Sequence, residues 1–160
     1  DATSSTSPLA PHADMLRWRP GSEPSAVAST RAIVLGAEYA ILDESAFKAA
    51  VQRASKTGLA IAAEVLAAEH VPMLTELGVD TLIACGLEGP GLVSEETGLV
   101  LLRAIKRVAP ETARVLLRGG IGPDSAAAAY AAGAAGVVLE HQLWCCRRYR
   151  GRYSNNCYIR

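Results

Sequence analysis

The residues best suited to chemistry in this chain are Arg118-Gly119-Gly120-Ile121, which follow the apolar run that begins at Arg114 and ends at Leu117. A buried strand that ends in paired glycines lets backbone N–H groups approach an anion with no side chain in the way. A second apolar run, Gly136-Val137-Val138-Leu139, follows after a helix-length interval, and Glu140-His141 stands at its end. A third loop, Gly86-Leu87-Glu88-Gly89-Pro90-Gly91, follows the run Thr81 to Cys85, with Glu88 as its one ionisable side chain. Two readings stay open for each loop. Gly119-Gly120 is a phosphate-capable turn or a purely structural one. The Gly86 to Gly91 loop faces a planar ring or substrate, or it is a turn-rich connection with a solvated glutamate. Glu64 ends another apolar run and is a candidate base, or a solvated or capping carboxylate. His141 at a strand end touches a ligand or does not; His70, at a helix start, reads as a surface residue, and Asp124 as a helix cap.

The elements that must position these loops are legible from residue 31 onward. Apolar runs at Ala32–Gly36, Leu59–Val65, Thr81–Cys85, Val115–Leu117 and Val137–Leu139 read as strands. Between them lie helical patterns at Glu44–Ser55, Ala67–Leu77, Ser94–Val108 and Asp124–Ala132, with Asp43 as an N-cap, Gly58 and Gly78 as stop signals and Pro110 as a terminator. Strands alternating with helices at this spacing form βαβ units and a parallel sheet. Their near-continuous apolar character fits strands covered on both faces. In such folds ligands gather at the C-terminal ends of strands, where all three loops fall.

Composition narrows the classes. Of the 160 residues, 50% are hydrophobic, enough for a real core, while aromatics make up only 5%. Formal net charge is zero, so no global field argues for nucleic acid or a membrane surface. No apolar stretch is long enough to span a bilayer, the N-terminus does not read as a signal peptide, and nothing suggests an oxidising compartment; the expectation is a cytoplasmic protein. Cys85, Cys145, Cys146 and Cys157 form no CxxC pair and have no metal-ligand spacing with His12, His70 or His141. Cys85 reads as a small core residue.

The ordered set of motifs resembles the C-terminal half of the nitronate monooxygenase family, the 2-nitropropane dioxygenase-like flavoproteins. The resemblance runs from Ala32 to Leu143. It rests on Gly78-Val79-Asp80, on the Gly86 to Gly91 loop, on Arg118-Gly119-Gly120-Ile121 and on Ala132-Gly133-Ala134-Ala135-Gly136-Val137. The wording from Gly91 to Leu102 is similar to the members embedded in type I polyketide synthases. The resemblance implies an FMN-binding (βα)8 barrel. Gly119, Gly120 and Ile121 would hold the FMN phosphate, the loop with Gly86, Gly89 and Gly91 would face the flavin ring, and Glu140 and His141 would complete the phosphate site. Implied substrates are a small nitronate or an enoyl or acyl thioester, and implied partners are neighbouring synthase domains.

Two positions depart from the family pattern. The family's catalytic base is a histidine directly after the loop glycines, and Leu92 stands there; a leucine accepts no proton, which leaves Glu88 as the ionisable group nearby. The last phosphate loop has Glu140-His141 in place of a small Gly-Thr pair. A carboxylate at ~6 Å from a phosphate costs on the order of 3 kcal/mol at an effective dielectric near 20. Either Glu140 turns away or a protonated His141 offsets it.

The expected organisation is a linker or loose arm over residues 1–30, a partial barrel over 31–144 and a basic irregular tail over 145–160. A full (βα)8 barrel takes about 250 residues, and this sequence supplies about five strands, so it reads as an α/β partial barrel and a fragment. The tail reads as a shifted frame or truncated gene end, or as a basic segment for anionic partners. Function then divides between a flavin-dependent oxidoreductase, a degenerate barrel module with a docking role in a synthase, and a different phosphate-binding α/β enzyme.

Overall fold

The computed structural model describes residues 14–18, 30–37, 44–140 and 157–159. Seven strands make one sheet: β1 (Asp14–Trp18), β2 (Thr30–Leu35), β3 (Ala60–Val65), β4 (Thr81–Cys85), β5 (Arg114–Arg118), β6 (Gly136–Leu139) and β7 (Cys157–Ile159). They neighbour one another in chain order. The pairs from β1–β2 through β5–β6 are parallel, and β7 runs antiparallel to β6. Unbroken sequential order with helical crossovers is how barrel sheets are wound; a doubly wound open sheet would reverse direction at a switch point. The chain is thus an α/β partial TIM barrel. Against the five strands read from the sequence, β1 adds a parallel one inside the stretch assigned to the arm, and β7 falls inside the stretch assigned to the tail. Neither has the apolar run that marks a strand buried on both faces. Apart from β1 and Thr30 the expected linker lies outside the described residues, as do His12 and the residues from His141 to Trp144.

The helices are α1 (Glu44–Ser55), α2 (Val71–Glu76, preceded by a 3-10 turn at Ala68–His70), α3 (Gly98–Val108) and α4 (Pro123–Ala131). Alternation along the strands divides the sheet into two faces. Ile33, Leu35, Ile61, Ala63, Val65, Leu82, Ala84, Val115, Leu117 and Val137 join the helices in one core, which also takes Phe47, Val51, Leu101, Leu102 and Ile105. The intervening residues Ala32, Val34, Ala62, Ile83, Cys85, Leu116 and Val138 form a separate cluster on the barrel's inner face.

Two helix starts differ from expectation, for local reasons. The segment from Ser94 to Thr97 is drawn into the end of β4 and does not coil. Ser94 N–H donates to the Cys85 carbonyl at 2.9 Å, and Leu87 N–H donates to the Glu96 carbonyl at 3.0 Å, so α3 begins at Gly98 and Glu95 and Glu96 precede it. At α4, Pro123 occupies the first turn and Gly122 is the N-cap. Asp124 is therefore not the cap. Ser125, in the first turn, bonds back to the cap, its hydroxyl accepting from Gly122 N–H at 2.7 Å and donating to the Gly120 carbonyl at 2.8 Å.

Candidate functional site

Gly119 and Gly120 directly follow β5, at the C-terminal ends of parallel strands. Both have positive φ, +105° and +60°, conformations that L side chains rarely adopt. A Cβ on Gly119 would lie 2.7 Å from the Gly89 nitrogen, and one on Gly120 would lie 3.0 Å from the Glu88 Cβ. The side-chain space of both glycines is thus filled by the Gly86 to Gly91 loop. Their lack of a side chain serves loop–loop contact, a reason different from the clear anion approach that the sequence suggested. Their N–H groups are another matter. Among the described residues the amides of Gly119, Gly120 and Ile121 have no hydrogen-bond partner. They lie immediately before the N-terminus of α4, where backbone dipoles favour negative charge. The Ile121 side chain is buried in the helix-side core, so only its amide is available.

The Gly86 to Gly91 loop is pinned at several points. Gly86 N–H donates to the Arg118 carbonyl at 3.1 Å and Gly89 N–H to the Gly86 carbonyl at 3.0 Å. Glu88 Oε2 accepts from Gly98 N–H at 3.0 Å, at the start of α3, so this carboxylate has a structural partner at a helix N-terminus. Gly91 has φ +85° with nothing near its Cβ position. Leu92 is 38% exposed.

Beneath these loops lies a buried polar cluster. Glu64, Cys85, Arg118 and Glu140 stand at or just beyond the tips of β3, β4, β5 and β6, all in phase with the inner face. Arg118 joins them. Its Nε donates to Glu140 Oε1 at 2.8 Å, its Nη1 to Glu64 Oε1 at 2.9 Å and to Cys85 Sγ at 3.5 Å, and its Nη2 to the Pro90 carbonyl at 2.9 Å. Glu64 Oε2 accepts from Ala37 N–H at 2.8 Å. The Arg118 and Glu64 side chains are 5% and 1% exposed. Burial works against the guanidinium charge, but ionisation of Cys85 and the charges of Glu64 and Glu140 raise its pKa above the usual arginine value. Burial, reinforced by Glu64, pushes the Cys85 thiol up to about 12, so it is neither nucleophile nor thiolate ligand at neutral pH.

This cluster corrects two expectations. Glu64 is neither solvated nor free to act as a base; it is a buried partner of Arg118. Glu140 does not turn away to water, since the Arg118 guanidinium lies against it; His141 lies outside the described residues. Among the described residues Arg118 is the cation that joins these two carboxylates and is taken up by them, so the anion-attracting part of the site there is the run of amides from Gly119 to Ile121. His70 differs too: its side chain is only 32% exposed, and among the described residues its buried Nδ1 has no partner. No group of His, Cys, Asp and Glu among the described residues could hold a metal ion, and no helix there is long and apolar enough to cross a membrane. What sequence reasoning missed was Arg118 as the hub. The signal was present: opposite charges recur at the last inner-facing position of neighbouring strands.

No protein-family model matches the chain, and no curated protein matches it. Solved structures do. FabK from Thermotoga maritima is 25% identical with a TM-score of 0.57, over 68% of this chain and 32% of that one. A mandelate oxidase mutant with a monooxide FMN adduct is 18% identical with a TM-score of 0.64, over 78% of this chain and 44% of that one. Nitroalkane oxidase from Streptomyces ansochromogenes is 20% identical with a TM-score of 0.50, over 69% and 33%. The alignment with FabK thus takes in about a third of that protein's length.

Proposed function

We propose that this chain is the phosphate-binding part of an FMN-dependent oxidoreductase barrel of the nitronate monooxygenase type. The observation that carries the reading is the run of amides at Gly119, Gly120 and Ile121 that have no partner among the described residues, just before α4 and at the C-terminal end of a parallel strand. The residues fit a phosphate: three amides lie on one turn, the helix dipole adds to them, and the carboxylates beside them are engaged, Glu140 by Arg118 and Glu88 by the Gly98 amide. The mandelate oxidase structure, with its FMN adduct, supports the same reading through its fold. Bound flavin would supply electron transfer to or from a small nitronate or an enoyl or acyl thioester. This chain's part is to hold the phosphate and to place the Gly86 to Gly91 loop beside the ring. With Leu92 at the family's base position and Glu88 engaged at Gly98, abstraction of the α-carbon proton of a neutral nitro compound, the step that would form a nitronate, has no acceptor by that route. The test is titration with FMN followed by flavin fluorescence. Saturable quenching at micromolar protein is expected, and a colourless protein that takes up no FMN overturns the reading.

A second reading is favoured by Leu92 together with the saturated Arg118 cluster: a barrel module without turnover, docked among synthase domains of the polyketide type. It expects flavin binding without nitronate oxidation, and oxidation of a nitronate by the purified protein would refute it.

A further inference from the structure

Among the described residues, Arg118 is the side chain that reaches both the strand tips and a ligand-facing loop. We propose that it is a positioning residue, which sets the Gly86 to Gly91 loop, through the Pro90 carbonyl, at a fixed height over the amides of Gly119 to Ile121. Three features support this. First, the planar fork is consumed in several directions at once: Nε on Glu140, Nη1 on Glu64 and Nη2 on the Pro90 carbonyl. A lysine at this position has one nitrogen and cannot span them. Second, the two carboxylates fix the guanidinium plane from β3 and from the end of β6, so the direction of the Nη2 donor is set by the sheet and not by the loop. Third, the loop lies within contact of the turn that follows Arg118 in sequence, with Glu88 and Gly89 filling the glycine Cβ positions. One residue therefore holds both the turn, by covalent continuity, and the loop packed against it, by a hydrogen bond. A ligand that touches both loop and turn, as a phosphate-bearing ring compound would, depends on how the two are set; a bare phosphate that touches only the turn does not. The ligand arm of this proposal rests on the flavin reading above, while the loop arm does not.

The experiment compares wild type with Arg118→Lys by amide hydrogen exchange without ligand, and by titration with FMN and, separately, with inorganic phosphate. Exchange at Gly89 and Ser94 is expected to accelerate by about tenfold, as for loss of a charge-assisted hydrogen bond, while α1 and α4 keep their protection. FMN affinity is expected to fall by roughly tenfold and phosphate affinity by less than about twofold. Unchanged loop exchange overturns the proposal, and so does acceleration spread evenly over sheet and helices, which would mark a merely structural arginine. Should wild type bind neither FMN nor phosphate, the functional reading falls and the exchange result still decides the loop arm. If Arg118→Lys does not fold, the triple variant Arg118→Met, Glu64→Gln, Glu140→Gln removes the charges together and carries the same readouts.

Discussion

Replacing Gly119 with alanine separates backbone strain from loop contact. At φ +105° any L residue is held in a sparsely populated region, at about 1–3 kcal/mol. The new Cβ also meets the Gly89 nitrogen at 2.7 Å and its Cα at 3.1 Å. Those are backbone atoms, so relief requires moving the loop, and forced overpacking of this kind costs about 1–3 kcal/mol. Gly119→Ala should thus lose about 2–6 kcal/mol. Gly91→Ala is the control: φ is +85° and nothing lies within 4 Å of its Cβ position, so it carries strain of about 1–3 kcal/mol alone. Urea unfolding of both variants, fitted with a common m value, gives the difference directly. An excess of about 1–3 kcal/mol for Gly119→Ala is expected. Equal destabilisation would refute the claim that the two loops are in contact.

Two other outcomes follow from the buried cluster. Arg118→Met leaves Glu64 and Glu140 buried without their shared cation and should destabilise by about 3–5 kcal/mol, with the triple variant that also neutralises both carboxylates losing less; thermal unfolding ranks them. Cys85 titrates at a value raised from 9.0 to about 12. Folding therefore favours the thiol: its contribution is fully present below about pH 9, and is lost as pH rises from about 9 to about 12, at up to on the order of 1 kcal/mol per pH unit. Cys85→Ala should flatten that part of the pH–stability curve, and an unchanged slope would count against the burial argument.

The strands from β2 to β6 and all four helices were legible because each strand is a short apolar run bounded by glycine, proline or a change of period. Helix α1 begins and ends where its pattern does. What escaped was set by contacts between distant residues. Ser94 to Thr97 has helix-start chemistry, yet its backbone bonds to β4 and the neighbouring loop, which no local pattern announces. The glycine pair after β5 was readable as a site, but its reason was not: the atoms that exclude a side chain at Gly119 belong to Gly89, thirty residues earlier. Glu64 and Glu140 each looked like a lone carboxylate because their cation is a strand residue, and charged residues in apolar runs read as boundaries.

The in-phase placement of Glu64, Arg118 and Glu140 also has a bearing on how the sheet assembles. Strand side chains alternate, so sliding β5 by a single residue against its neighbours would turn Arg118 toward the helices and leave both acids facing hydrocarbon. Stranding an ion in that setting costs several kcal/mol, more than an alanine-rich interface of small, interchangeable side chains would charge for the same error. In a sheet whose apolar surfaces discriminate poorly between alignments, three ionic groups make the correct one unambiguous.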